Sequence, residues 1–393
     1  MSEHRINRPR TALVLSGGGS RGAYEMGVWK ALRQMGIKID IVTGTSIGSM
    51  NAALVAQDGF RTGFDLWETM ETGMVFDYEH IVENRGVRFT GIKDLLDGKL
   101  SEPKIRASEM DFGIVTVRFP SMEPVRLWKE DIPDGELMDY IFASCSCFPV
   151  VAPYEIEHEK FVDGGFRDYI PIGMALEKGA ERIIAVDLNG FGKTNEADLA
   201  AAGDRLILIR SAWDLGAFPV FEPSKAKRLI HIGYLDTLRT FGVFDGSRYT
   251  FIKGEVNLRN LKAAEEAAFV FDLDPRIIYS KEHFLCALSG AIADYRDGDD
   301  PEAVELRRMM EDIRKTKLTL SILTGSFTKM RSLGQKGAML LLCDLLKRAG
   351  YASSDSTPVE EMRKPLFPIP KSARKILGSA LPAALWLVKH DFA

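Results

Sequence analysis

Between Thr11 and Gln57 two short apolar runs each break into a glycine-bearing turn and then into a helical pattern, and this repeated unit restricts the chain more than any other feature. The first run, TALVL at 11–15, leads into GGGSRG at 17–22. Val28, Ala31, Leu32 and Met35 then repeat at i, i+3, i+4 and i+7, one buried helical stripe, and Gly36 stands where a helix-ending glycine belongs. The second run, IKIDIVT at 37–43, leads into GTSIG at 44–48, after which Met50, Ala53, Leu54 and Gln57 continue a helix. Strand, helix and strand in this order form a crossover between adjacent parallel strands. Both turns then open at the carboxyl edge of the sheet, where α/β proteins build their sites.

Further β-type runs, FGIVTV at 112–117, RIIAVDL at 182–188 and RLILIR at 205–210, extend the same alternation. They predict an α/β domain over residues 10–215, a mostly parallel sheet flanked by helices. Strand signals then thin out, and 262–271, 301–316 and 336–348 read as helices, so residues 216–363 are expected to form a mainly helical extension. KPLFPIPK at 364–371 sets off a Pro-rich basic and apolar segment, 364–393. A hydrophobic content of 46% with 27% charged residues suits a chain that buries a core.

Each glycine turn has a specific chemical use. GGGSRG between a strand and a helix fits G-x-G-x-x-G, and Asp40, near the end of the second run, falls about where a ribose-binding acid would. Such a loop more generally aims backbone N–H groups at negative charge, so a phosphate and a developing oxyanion both suit it. GTSIG at a strand-to-helix junction is the nucleophile-elbow pattern: Gly44 and Gly48 permit a tight turn that lifts Ser46 above the sheet edge. The plain alternative is a serine capping a helix between two packing glycines. With both loops on one edge, the Gly18 and Gly19 amides can face a carbonyl attacked by Ser46, an oxyanion hole.

A serine nucleophile needs a proton acceptor. Six histidines are present, His4, His80, His158, His231, His283 and His390, and none sits in a loop like that of a triad histidine. His158, in the alternating stretch YEIEHEKF, reads as a solvent-facing hairpin residue, and His283 lies in a helical run. Asp163 follows Phe161 and Val162 and precedes Gly164 and Gly165, which holds a carboxylate on a tight turn. Taken alone, D-G-G is mostly a turn signal.

Together, GGGSRG at 17–22, GTSIG at 44–48 and DGG at 163–165, in this order and spacing, resemble the three signatures of the patatin-like phospholipase family. The stretch ASCSCFPVVAPYEIEHEKFVDGGFRDYIPIGMALEKGAERIIAVDL adds that family's small residues, prolines, hairpin, aspartate turn and helix before a strand. The likeness covers about residues 10–215, with Cys145 and Cys147 where Ser or Ala is usual. It implies a Ser46/Asp163 dyad, Asp163 being the base. The implied oxyanion site is formed by Gly17, Gly18, Gly19, Ser20, Arg21 and Gly22 with Ile47. It also implies hydrolysis of phospholipid or lysophospholipid esters without metal or cofactor. Arg21 is expected either to place a lipid phosphate or to fix the loop through a salt bridge. The competing readings are a catalytically idle lipid-binding or regulatory protein and a dinucleotide-binding enzyme.

The net charge of −4 argues against a nucleic-acid partner but conceals an imbalance. After residue 313 there are 14 Lys and Arg against 5 Asp and Glu, net +9, which leaves −13 on residues 1–313. Lys371, Arg374 and Lys375 precede ILGSALPAALWLV, broken by Pro382 and too short to span a bilayer. Residues 364–393 are thus expected either to rest on an anionic membrane surface or to pack on the catalytic domain. Four cysteines are too few for a disulfide framework, and Cys145 and Cys147 lack zinc-site spacing, so they read as small buried hydrophobes. The polar start, MSEHRINRPR, lacks a secretory pattern, and with these cysteines it points to a cytoplasmic location.

Overall fold

The structure, a computed structural model, describes residues 8–76, 90–315, 333–348 and 380–392. They form two compact units, Met1–Thr240 and Phe241–Ala393.

The first unit is built on an eight-stranded sheet: β1 (Thr11–Leu15), β2 (Ile41–Thr45), β3 (Asp111–Phe119), β4 (Glu123–Trp128), β5 (Tyr154–Ile156), β6 (Glu159–Asp163), β7 (Arg182–Asp187) and β8 (Leu206–Arg210). The order is β5-β6-β3-β2-β1-β7-β8, with β4 also paired to β3. Strands β3, β2, β1, β7 and β8 run parallel. The β3–β4, β3–β6 and β5–β6 pairings are antiparallel. Every residue of β1 and β2 is buried, because helices cover both faces of a parallel sheet, and this is why TALVL is continuously apolar. The polar members of β2 find backbone partners: Thr45 Oγ1 donates to Asp168 O at 2.8 Å.

Helix α1 (Ala23–Gln34) joins β1 to β2, and Gly36, at φ +68°, turns the chain out of it as expected. Helix α2 (Ile47–Ala56) leaves β2 directly and is followed by α3 (Phe60–Thr69); α4 (Leu137–Ser144) lies against β3. β2 starts at Ile41, so Asp40 stands just before the strand rather than near its end. There it is held at the amino end of the sheet, taking the Thr11 N–H at 2.9 Å and the Arg8 guanidinium at 2.6 and 2.7 Å. It lies at the opposite end of β2 from the glycine turns, which removes the acid that a ribose at those turns would require.

Helix α5 (Pro223–Thr240) belongs to the first unit, so the division falls at residue 240 and not near 215. It crosses α1 at a contact made by two glycines. A Cβ on Gly27 would lie 1.9 Å from Ile230 O, and one on Gly233 would lie 2.2 Å from Tyr24 O. Beside that crossing the buried Tyr24 hydroxyl donates to Asp236 Oδ2 at 2.7 Å.

The second unit contains helices Leu258–Val270, Lys281–Asp297, Pro301–Arg314, Gly334–Arg348 and Ala380–Lys389, with one short parallel pair, Thr250–Phe251 and Ile278–Tyr279. Phe251, Tyr279 and Phe284 form an aromatic cluster, their ring centroids 5.0–6.2 Å apart. The Ala380–Lys389 helix packs on Leu258–Val270 and Gly334–Arg348, and its Leu381, Leu385, Trp386 and Leu387 are buried. Its apolar side chains are therefore enclosed among helices of its own unit. Lys364, Lys371, Arg374 and Lys375 lie outside the described residues. Among the described residues no helix is long and apolar enough to cross a membrane.

Since the α1/α5 crossing has no room for a methyl group, Gly27→Ala is expected to lower the unfolding free energy by at least about 1–3 kcal/mol. Urea denaturation followed by circular dichroism measures the loss.

Candidate active site

Ser46 follows the last residue of β2 and precedes the first of α2, with φ +55° and ψ −131°. A side-chain-bearing residue held there costs on the order of 1–3 kcal/mol, and its neighbours stabilise the turn. The Ser46 N–H donates to Ser144 Oγ at 2.8 Å, and that hydroxyl donates to Val115 O at 2.6 Å. Ser49 Oγ donates to Ser46 O at 2.6 Å. The flanking glycines answer to close approach: a Cβ on Gly44 would fall 2.2 Å from Gly48 O, and one on Gly48 would fall 2.5 Å from Leu15 O. No other residue fits either position.

The register of the sheet brings the second group to the same place. Thr45 is paired with Val115 and Asp163 with Thr116, so Ser46 and Asp163 stand on either side of β3 at one level. Asp163 Oδ2 accepts the Ser46 hydroxyl at 2.5 Å, while Oδ1 accepts the Gly165 N–H at 2.7 Å. Gly164 passes so close to β3 that a Cβ would be 2.3 Å from Val115 O. The D-G-G turn and the acid are thus one feature. Burial pushes the Asp163 carboxyl up to about 6, its two hydrogen bonds only partly opposing the loss of solvent.

The 17–22 loop closes the site from the β1 side. A Cβ on Gly17 would touch Ser46 Cβ at 3.3 Å, and Gly19 adopts φ +57°. The Gly17 N–H is taken by Tyr169 O, and the Ser20 N–H by Phe218 O at 2.8 Å. Between them, the N–H groups of Gly18 and Gly19 have no acceptor among the described residues. Ser20, expected among the oxyanion donors, is instead a loop anchor, since its hydroxyl donates to Ala217 O and accepts from Lys225 Nζ at 2.8 Å. Arg21 fixes the loop through carbonyls rather than a carboxylate: Nε donates to Gly216 O at 2.8 Å and Nη1 to Asn189 O at 2.5 Å. Gly22 lets α1 begin against α2, where a Cβ would meet Ile47 Cγ1 at 2.8 Å.

Ser46, Asp163 and Gly17–Gly19 line a pocket of about 430 Å³ whose other walls are largely apolar: Ile47, Val75, Phe76, Phe148, Val151, Phe166 and Phe221. Cys145 and Cys147 also line it, and burial together with the Asp163 charge raises both thiols, Cys147 to about 12. Both are thus favoured as the protonated thiol, the less nucleophilic form, at neutral pH. None of the lining residues is a histidine; His158 sits exposed at the β5–β6 turn with φ +71°.

Residues 13–176 match the model of the patatin-like phospholipase family. The chain carries a patatin-like phospholipase domain. Over 256 residues, 61% of this chain and 18% of the relative, it is 30% identical to human patatin-like phospholipase domain-containing protein 6. It is also 30% identical over 207 residues to lysophospholipase NTE1 of Scheffersomyces stipitis, covering 47% of this chain and 12% of that protein. The chain thus spans less than a fifth of the length of these relatives. A solved structure of VipD from Legionella pneumophila aligns with a TM-score of 0.37 at 14% identity, covering 98% of this chain and 91% of that one.

Two polar networks that no motif signals hold the patatin-like site from below. Tyr169 OH donates to Asp187 Oδ1 at 2.8 Å and accepts from Gly190 N–H and Ser16 Oγ, binding the end of β1 to the loop after β7. On the other side Asn51 of α2 donates to Gly22 O at 3.0 Å and Glu25 Oε2 at 2.8 Å, and accepts from Trp67 Nε1 at 2.9 Å. Asn51 therefore ties the helix behind Ser46 to the helix behind the glycine loop. Glu25 is fully enclosed, and burial raises its carboxyl well above the usual range.

Because the folded-state Asp163 carboxyl titrates above its unfolded value, the stability it contributes is present at low pH and is lost as pH rises through about 6. Asp163→Asn, which retains an acceptor for Gly165, is therefore expected to be more stable than the wild type above pH 6, by on the order of 2–3 kcal/mol. The gain should vanish below the unfolded carboxyl range. Paired denaturation curves across pH measure it.

Proposed function

We propose that this chain hydrolyses carboxylic esters of phospholipids or lysophospholipids through a Ser46/Asp163 dyad and an acyl-enzyme. The 2.5 Å contact between Ser46 Oγ and Asp163 Oδ2, at the floor of an apolar pocket, supports this most strongly. Ser46 Oγ attacks the ester carbonyl carbon while its proton passes to Asp163 Oδ2. The carbonyl oxygen becomes an oxyanion held by the Gly18 and Gly19 N–H groups, with Ile47 N–H at the start of α2 as a third donor. When the tetrahedral intermediate collapses, Asp163 returns the proton to the departing alcohol oxygen. Water then attacks the acyl-serine, losing a proton to Asp163; as the bond between Ser46 Oγ and the acyl carbon breaks, Asp163 returns that proton to Ser46 Oγ and the carboxylic acid leaves.

The raised Asp163 carboxyl suits this role. A group titrating near 6 is ionised at neutral pH and is a stronger base than an exposed aspartate, which titrates near ~3.9. The oxyanion donors are backbone groups on a loop fixed from both ends, so they need little rearrangement as charge develops. The apolar walls suit an acyl chain. The name of the yeast relative, a lysophospholipase, accords with that substrate class. A cytoplasmic setting completes the reading and suits four cysteines that are all unpaired.

Ser46→Ala and Asp163→Asn should each lower kcat/KM for ester hydrolysis by at least about a thousandfold, and Ser46→Ala should abolish fluorophosphonate labelling. Undiminished hydrolysis in both variants would sink the dyad. For the wild type, kcat/KM should rise tenfold per pH unit below about 6 and level off above it, because the base must be ionised.

A further inference from the structure

The first unit exposes five large apolar side chains among its described residues; two of them line one pocket, and two more adjoin its lining residues along the chain. Leu208, on the edge strand β8, is the exception. Phe191, 82% exposed, and Val150 line the pocket that contains Ser46. Val220 lies between the lining residues Phe218 and Phe221, and Met74 directly precedes lining residue Val75. The two segments bearing Met74 and Val220 are joined: Thr72 N–H donates to Phe221 O at 3.0 Å, and Phe221 N–H donates to Thr72 Oγ1 at 2.8 Å. Phe191 meets Phe218 edge to face at 5.9 Å, yet most of its ring remains in water. Lys193, also exposed, lines the same pocket two residues on.

Scattered apolar side chains are normal on a protein surface, but a gathering around the entrance of an apolar pocket marks a contact surface. We propose that this mouth docks onto a phospholipid surface, Phe191 entering the acyl region and Lys193 meeting headgroup phosphates. The inference rests on the reading of the pocket as an acyl-ester site. A lipid surface is favoured over a protein partner because patch and pocket are continuous. An acyl chain can then pass from the bilayer to Ser46 without being exposed to water. A cation two residues from an exposed aromatic side chain at one pocket mouth is the pairing that a phosphate-headed, apolar-cored surface meets at that depth.

The test uses the full chain and phosphatidylcholine vesicles with and without phosphatidylglycerol. Flotation should show the wild type bound, more strongly when phosphatidylglycerol is present. Phe191→Glu and the double variant Met74→Glu/Val220→Glu should each weaken binding at least about tenfold, the scale expected for losing one buried aromatic or two aliphatic contacts. The double variant should hydrolyse a dissolved short-chain ester at the wild-type rate, which excludes misfolding. In Phe191→Trp, fluorescence beyond the wild-type signal should be quenched by brominated acyl chains. Binding unchanged by both charge insertions, absence of that quenching, or an added emission already blue-shifted without vesicles would each overturn the proposal. Flotation needs no turnover. Intact hydrolysis in Ser46→Ala would therefore overturn the catalytic reading while leaving the docking result to be judged separately.

Discussion

A carboxylate held away from water beside a serine hydroxyl is the costly element on which the rest of the site depends. Asp163 faces Ser46 across β3, and each of its oxygens has one donor. Burial makes it basic, and the same burial makes its ionised form unfavourable in the fold. Reactivity and instability therefore come from one physical cause. The surrounding structure offsets that cost with a continuous apolar sheet and a backbone held in place by glycines at Gly44, Gly48 and Gly164, where a methyl group would collide with a carbonyl.

Much of this was legible in the amino-acid sequence for a definite reason. The strands β1 and β7 are buried on both faces, so their apolar runs are unbroken and their bounds appear within a residue of where the structure has them. Turn glycines required by contact geometry leave fixed spacings, which is how Ser46 and the 17–22 loop stood out. Asp163 was harder. D-G-G carries no chemistry until the β3 register sets it opposite Ser46, and only the resemblance to patatin-like enzymes assigned it the role of base.

What stayed hidden was relational. Asp40 lies in the right stretch for a ribose ligand but at the wrong end of the sheet, and the direction of β2 decides that. Arg21 and Ser20 look like ligand-binding groups in a phosphate-type loop, yet carbonyls contributed by residues about two hundred positions later occupy them. The pocket walls come from short apolar pieces in separate stretches of chain, none patterned to reveal a common destination. The terminal segment 380–389 shows the same limit: its apolar character is real, but its partners are other helices of its own unit.

The ties between the glycine loop and residues 216–225 bear on what the domain minimally is. Gly216, Ala217 and Phe218 supply the carbonyls that fix Arg21 and Ser20, and Lys225, in the first turn of α5, reaches back to Ser20 Oγ. A chain cut after residue 215 would retain all three signature motifs and every sheet strand. It would nonetheless lose the clamp that holds the loop rigid. The recognisable motifs and the smallest stretch that keeps the loop clamped are thus different lengths of polypeptide, and the helix that ends at Thr240 marks the difference.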